Sequence, residues 1–412
     1  MRVLILGLNY APEKVGIAVY TSGMAEALAT HGHQVQVIAG QPYYPAWAIF
    51  EGYSRIWYKR GIENGVDVTR APHYVPSRPS GAKRLVHHAS FALTALVPTI
   101  LRALTWRPDV ILTVAPSLAS TPVALLAARL SGTHSWLHVQ DFEVEAAFVT
   151  GLLAESSLLG KFAESFEKFM LRSFDRVSTI SPQMVRKLLE KKTKTSSVIE
   201  FRNWSDIKNI YPLNAASALR EEWNITTPNV ALYSGNIANK QGIEIIVEVA
   251  KLLSNRKDLT FVVCGEGPNR STLEQRAAGL DNIRFYNLQP VSRLNDVVNL
   301  ATVHLLPQLA GAADLVLPSK LTNMLASGRP VVASAAAGTG IASELEGCGI
   351  CTPPDDAEAM SKAISYILDN PTQYSAMSMN ARKRAEERWA KDGILDAFET
   401  QLDQLVTRVG AL

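Results

Sequence analysis

The sequence predicts an α/β chain of two domains, each a doubly wound parallel sheet, on three observations. The chain has 412 residues, 47% of them hydrophobic, enough for large cores and too many for a single one. A strand, loop, helix, strand unit opens it at Val3. The same alternation restarts at Val230 after a polar stretch, the pattern of parallel strands joined by crossover helices.

The first domain is expected over residues 1–206. Val3 to Leu6 reads as a buried strand, and Met1-Arg2 leaves no room ahead of it for a signal peptide, so a cytoplasmic chain that starts at its first strand is the expectation. A loop from Leu8 to Gly16 leads to a helix carrying Met24 and Leu28, then to the strand Val35 to Ile38. The first loop lacks G-x-G-x-x-G, and Ala39-Gly40-Gln41 rather than an acid follows the second strand, so a nicotinamide cofactor is disfavoured. Gly16 either lets backbone approach an anion at a helix start or serves a turn that needs positive φ.

The net charge of +3 argues against a general nucleic-acid binder. Arg55 to Arg107 nevertheless holds nine Lys or Arg against two acids. Within it, Leu85, Ala89, Leu93, Leu96, Ile100 and Leu104 recur at helical spacing, interrupted as a membrane span by Pro98, His87 and His88. A buried or interfacial helix is the expectation. Asp109 to Val114 and Ser135 to Val139 read as further strands, with a helix between them from Ser117 to Ser131.

His138 and Asp141 follow at the C-terminal end of the latter strand, where open α/β sheets bind ligands, although a histidine there is often just a hydrogen-bonded core group. Asp141-Phe-Glu143 has D-x-E spacing, but one such tripeptide assigns no metal. Cys264, Cys348 and Cys351 form no disulfide framework, and Cys348-Gly-Ile-Cys351 lacks the second ligand pair a zinc site needs.

After the strand Arg176 to Ile180, a helix opened by Ser181-Pro182 and the strand Ser197 to Phe201, the polar segment Ile207 to Asn214 reads as the linker. A second domain is expected over residues 207–391, with a final helix, residues 392–412, completing the first. Three of its strand-to-helix turns carry glycine, lysine or a helix start: Gly235-Asn236 through Lys240 to Gly242, Gly265-Glu266-Gly267-Pro268, and Asp314 to Ser334. In the last, Pro318 stops an extended run, Ser319 is placed as N-cap, the helix starts at Lys320 and holds Leu321, Met324 and Leu325, and Gly328 ends it. Free N–H groups, the positive end of the dipole (each such effect about 0.3 to 1 kcal/mol) and the Lys320 ammonium would converge on one spot suited to a diphosphate. A plain helix-to-strand turn with a solvated lysine explains that stretch equally.

Taken in order, the Gly-containing first loop, Gly235 to Gly242, Gly265-Glu-Gly-Pro268 and Ser319-Lys320 to Pro330-Val331 resemble retaining glycosyltransferase family 4 over essentially the whole chain. Gly235-Asn-Ile, His138-Val-Gln-Asp141 and Leu317-Pro-Ser-Lys-Leu321 look most like the colanic-acid-type enzymes of bacterial exopolysaccharide synthesis. The resemblance implies a GT-B architecture, two Rossmann-like domains with parallel sheets facing across a cleft, and a nucleotide-sugar donor held mainly by the second.

By position it implies Lys240 and Lys320 on the diphosphate, Gly16, Asn236, Gly265, Glu266, Gly267, Asp314, Ser319, Leu321 and Asn323 around the donor, and Asp141 or His138 orienting acceptor or donor sugar. The acceptor it implies is a lipid-linked saccharide, reached by peripheral contact with an anionic membrane on the inner face of the cytoplasmic membrane, and GDP-fucose is the donor it puts first. Neither metal nor other cofactor is expected, because helix N-termini and lysines can stabilise the departing diphosphate.

Two departures qualify this. The family's pair of glutamates falls here on Leu315 and Asn323, with Asp314 displaced by one, and Gln241 stands at the family's usual lysine position with Lys240 one place before it. A non-hydrolysing nucleotide-sugar epimerase and a non-catalytic nucleotide-sugar binder share the same frame and are the rival readings.

Overall fold

The computed structural model describes residues 1–14, 16–149, 151–191, 193–237, 241–309 and 318–407 of the chain. It divides into two compact units: Met1–Arg202 with the C-terminal segment from Leu395, and Asn203–Ile394. The divisions thus fall at 202/203 and 394/395, where the sequence places them at 206/207 and 391/392.

In the first unit β1 (Arg2–Gly7), β2 (Gln34–Gly40), β3 (Lys59–Glu63), β4 (Val66–Ala71), β5 (Val110–Ala115), β6 (His134–Val139), β7 (Arg176–Thr179) and β8 (Val198–Glu200) form one sheet in the order β3-β4-β2-β1-β5-β6-β7-β8. All pairings are parallel except β3 with β4. Val3, Leu4, Ile5 and Leu6 of β1 are fully buried, as a central parallel strand requires. The antiparallel pair closes through Asn64-Gly65, both at positive φ (48° and 82°), the dipeptide that two-residue hairpin turns favour. Reading Arg55 to Arg107 by charge alone passes over this hairpin.

The helix Gly81–Trp106 turns Phe91, Ala92, Ala95, Thr99 and Ala103 inward and packs on the helix Thr121–Ser131. Its other side leaves Leu85, Leu93, Val97 and Leu101 more than half exposed, Leu93 at 72%. Among the described residues it is the one helix long and apolar enough to cross a membrane by length and composition. The last helix, Lys391–Thr407, docks on this unit: Phe398 stacks on Phe201 at 4.2 Å and meets Trp136 edge-on at 5.1 Å.

In the second unit β9 (Asn229–Ser234), β10 (Leu259–Cys264), β11 (Ile283–Tyr286), β12 (Val303–Leu306), β13 (Val331–Ser334) and β14 (Gly349–Thr352) form a parallel sheet in the order β11-β10-β9-β12-β13-β14. The segment Ile207 to Asn214 is not a free linker. Ile210 is buried in this unit's core, Arg382 Nη1 donates to its carbonyl at 2.9 Å, and the Tyr211 and Leu213 amides donate to Asn295 and Asn299 side chains at 3.0 Å each. Spacing of polar residues did not reveal that their backbone is satisfied by side chains far along the chain.

Candidate active site

The strand order of the second unit reverses at β9, whose neighbours β10 and β12 lead in opposite directions, and ligands of open α/β sheets bind outside the strand ends at such a point. The loops after β9 and β10 are laid backbone on backbone there. Gly235 N donates to Cys264 O at 3.0 Å and Ile237 N to Glu266 O at 2.8 Å. A Cβ on Gly265 would stand 1.9 Å from Gly235 O, and one on Gly267 (φ 157°) 2.2 Å from Ile237 O. Both glycines are therefore required by the neighbouring loop, whatever else approaches them.

Lys320 lies beside this pair of loops. Its helix, Ser319–Ala326, begins one residue earlier than the sequence predicts, with Pro318 rather than Ser319 in the N-cap position and no side-chain cap. Leu321 N donates to Pro318 O at 2.9 Å, while Leu321, Met324 and Leu325 anchor the helix in the core. The Lys320 amine donates to Tyr233 Oη at 3.0 Å and sits 4.2 Å from the centre of that ring. It lies 3.8 Å from where a Gly235 Cβ would be.

Among the described residues no carboxylate pairs with Lys320, and burial pushes its amine from 10.5 down to about 7. Burial likewise raises the Tyr233 phenol, which stays protonated. That single proton faces two acceptors, Asn236 O at 2.6 Å and Gln241 Oε1. The arrangement, among the described residues, is a half-buried amine with no carboxylate partner at the positive end of a helix, where the Leu321 amide is already taken by Pro318 O.

Residues 15–204 match the family description "Glycosyl transferase 4-like domain" and residues 216–384 match "Glycosyl transferases group 1". The chain is 39% identical over 408 residues to the colanic acid biosynthesis glycosyl transferase WcaI of Escherichia coli, covering 97% of this chain and 98% of that one. The chain belongs to the GT4-type glycosyltransferases. Its fold is accordingly that of sucrose-phosphate synthase from Thermosynechococcus elongatus, with a TM-score of 0.75 at 17% identity over 99% of both chains. HepE of Anabaena, solved in complex with UDP, aligns with a TM-score of 0.72 at 14% identity over 98% of this chain and 100% of that one. Both are GT-B proteins in fold class, with two α/β domains.

In this glycosyltransferase the residues expected around the donor do not all converge. Lys240 and Asp314 lie outside the described residues, and Ser319 is placed only by its backbone, as the first residue of the helix. Leu321 is 0% exposed, so its side chain serves packing alone. Asn323 Oδ1 accepts from the Ser205 hydroxyl at 2.8 Å, and the exposed Glu266 is answered by Arg270 at 2.8 Å. Asn236 offers its carbonyl to Tyr233 and leaves its side chain exposed.

In the first unit Gly16 caps the helix Ile17–Thr30 at φ 65°, with open space where a Cβ would stand. Asp141 follows β6, half-buried. His138, 2% exposed, has both ring nitrogens engaged, Nδ1 with Ser178 Oγ at 2.9 Å and Nε2 with Gln140 Nε2 at 3.0 Å, and burial lowers it to about 3. It is placed as a core group between β6 and β7, the second of the two readings its position allowed.

Tyr233 is the residue that sequence reasoning missed, because a tyrosine near the end of a buried strand reads as core. Its position immediately before Ser234-Gly235 was the available signal. Tyr233→Phe keeps the ring under Lys320 and removes its hydrogen-bond acceptor. Since a hydrogen bond to a charged group contributes about 1.5 to 3 kcal/mol, kcat/KM is expected to fall roughly tenfold to a hundredfold with the melting temperature nearly unchanged. Steady-state kinetics with activity intact in the Phe variant would remove Tyr233 from the site.

Proposed function

We propose that this glycosyltransferase moves a sugar, with retention of anomeric configuration, from a nucleoside-diphosphate sugar to a lipid-linked saccharide acceptor in colanic-acid-type exopolysaccharide synthesis. The observation that carries the reading is Lys320, a half-buried lysine with no carboxylate partner among the described residues, at a helix start beside two glycine-tight loops. The near full-length identity to WcaI supports the pathway.

The donor breaks at its anomeric C–O bond, and negative charge grows on the departing diphosphate. Lys320, the helix amides and Lys240 meet that charge, while the acceptor hydroxyl attacks from the same face and a diphosphate oxygen takes its proton. No protein nucleophile and no metal are called for, since preorganised electrostatics can supply the stabilisation.

A melting panel of GDP, UDP, ADP and dTDP tests the donor site. Ligand at about a hundred times its dissociation constant adds ~2.7 kcal/mol of stability, a readily measured shift. One nucleotide, GDP first, is expected to stand out, and silence across the panel would sink the site. Transfer that persists in chelator is the matching expectation for metal independence.

Membrane contact is the second part of the proposal. Arg78, Lys83 and Arg84 are exposed at the start of the helix Gly81–Trp106, whose outward apolar side has no cover among the described residues. Near an anionic leaflet each basic residue contributes about 1 kcal/mol, an attraction that decays over roughly 8 Å at physiological salt. Cosedimentation with anionic vesicles should weaken with salt and fall when the three are changed to Gln. Equal partitioning onto neutral vesicles would reject electrostatic docking.

A further inference from the structure

The helix Lys391–Thr407 and the turn that leads into β2 bring two carboxylates and two imidazoles together from opposite ends of the chain. Leu395, Phe398, Leu402 and Leu405 form the buried stripe of the helix, and Phe398 is held between Phe201 and Trp136. That packing fixes how the helix is rotated. Asp396 and Glu399, three residues apart on one face, are thereby presented to the end of the helix Ile17–Thr30.

The turn that meets them is equally fixed. The amides of His31, Gly32 and His33 donate to the Ala27, Ala29 and Leu28 carbonyls at 2.9, 3.1 and 3.0 Å, and Gly32 takes φ 86°. His31 Nδ1 lies 2.5 Å from Glu399 Oε2, and His33 Nε2 lies 2.7 Å from Glu399 Oε1. Asp396 completes the group, since one ligand atom each of His31, Asp396 and Glu399 stand within 4.8 Å of one another.

A hydrogen-bonded pair accounts for Glu399 with its imidazoles. It does not account for Asp396, which adds a like charge at the same spot. Among the described residues no lysine or arginine pairs with either carboxylate. A cation between them would offset that repulsion.

The donor set selects the cation. An imidazole with two carboxylates suits zinc and its transition-metal neighbours, whereas magnesium and calcium take oxygen ligands. Ligand atoms around a tetrahedral zinc stand roughly 3.4 Å apart, given bonds of about 2.0 to 2.1 Å. That spacing lies between the 2.5 Å contact of His31 with Glu399 and the 4.8 Å span of the group, so shifts of about 1 Å suffice. His31 and Asp396 are exposed and free to make them, and an ion reaches them directly from solvent. His33 keeps its hydrogen bond to Glu399 Oε1 while Oε2 turns to the metal, the outer contact that ligating carboxylates ordinarily have.

We propose that His31, Asp396 and Glu399 form a zinc site, with water as the fourth ligand and His33 positioning Glu399, that clips the last helix onto the first unit. The site lies where β2 begins, at the opposite edge of the sheet from the strand ends where open α/β sheets bind ligands. It therefore serves docking and takes no part in transfer.

The full chain, free of any histidine tag, is titrated with zinc chloride, with magnesium chloride as the hard cation and cobalt chloride as the optical reporter. One zinc per chain is expected to saturate, and cobalt should show the visible bands of four-coordination. His31→Ala and Asp396→Ala, both at exposed positions that tolerate substitution, should each weaken zinc about tenfold or more. Zinc should raise the melting temperature of the parent and leave that of Asp396→Ala unchanged. Transfer and the nucleotide-induced melting shift should be the same in both variants as in the parent.

Zinc bound by both variants as tightly as by the parent would place it at others of the eight histidines and three cysteines and overturn the proposal. So would magnesium bound as well as zinc, or no saturable binding of either. Transfer lost in Asp396→Ala while its melting and nucleotide response persist would reject the docking role and tie the cation to the chemistry.

Discussion

Lys320→Met is expected to lose about a hundredfold to a thousandfold in kcat, the effect of removing one preorganised stabiliser of a developing anion, while melting at or above the parent temperature. The direction of the stability change is the informative part. A lysine kept for folding would have a carboxylate or several carbonyls around its amine. Among the described residues this one has the Tyr233 hydroxyl and ring, and its amine is held at about 7 instead of 10.5 by burial. A base whose folded value is depressed binds fewer protons than in the unfolded chain, so its unfavourable contribution is present at neutral pH and fades only as pH rises toward the unfolded value. Methionine of similar length removes that cost.

The same depression predicts how the donor binds. A diphosphate restores the charge on Lys320 and raises its pKa, so binding takes up a proton and weakens as pH rises from about 7. Calorimetry in buffers of different ionisation heat measures the uptake, which Lys320→Met should abolish. Near-normal transfer by a folded variant would contradict the assignment, and failure to fold would return Lys320 to a structural role.

What the sequence revealed and what it hid divide along physical lines. A continuous apolar run such as Val3 to Leu6 can hardly be anything but a buried parallel strand, and it stands where it was read. Lys320 was legible as a cation at a helix start, because Pro318 and Gly328 punctuate that helix on either side. What a glycine is for was not. Gly265 and Gly267 read as making room for a donor, whereas the groups that forbid a Cβ there are the carbonyls of Gly235 and Ile237, brought in by β-sheet pairing rather than by adjacency in the chain.

Partnership was equally hidden. His138 and His87 look alike in sequence, each a histidine among apolar residues, yet one has both nitrogens engaged and the other leaves Nε2 without a partner among the described residues. Burial and hydrogen-bond satisfaction depend on which elements meet, and no local pattern carries that information.

The burial of histidines has a consequence for the whole chain, an acid limit set well above the carboxylate range. His73, His87, His88, His138 and His304 are all held down to about 3 or 4 by burial. Their ordinary value is 6.5, so between these limits the unfolded chain binds protons that the folded chain refuses. Stability is therefore intact above about pH 6.5 and lost as pH falls toward the folded values. Taken singly, a fully buried imidazole costs about 2 kcal/mol at pH 5, at 1.36 kcal/mol per pH unit below its unfolded pKa. His88, with a partly open side chain, counts for less.

Glu13, Glu143 and Glu167, whose pKa values burial raises, work in the opposite direction, gaining protons in the folded state first and offsetting part of the loss. Against a typical stability of about 5 to 15 kcal/mol the histidines dominate, and cooperative unfolding is expected near pH 5. Four of the five lie in the first unit and only His304 in the second. Proteolysis at about pH 5.5 should accordingly cut within residues 1–202 first. A melting temperature flat between pH 7.5 and 5.5, or cleavage that begins in the second unit, would show that these imidazoles accept protons without unfolding, and that burial holds them less firmly than their surroundings require.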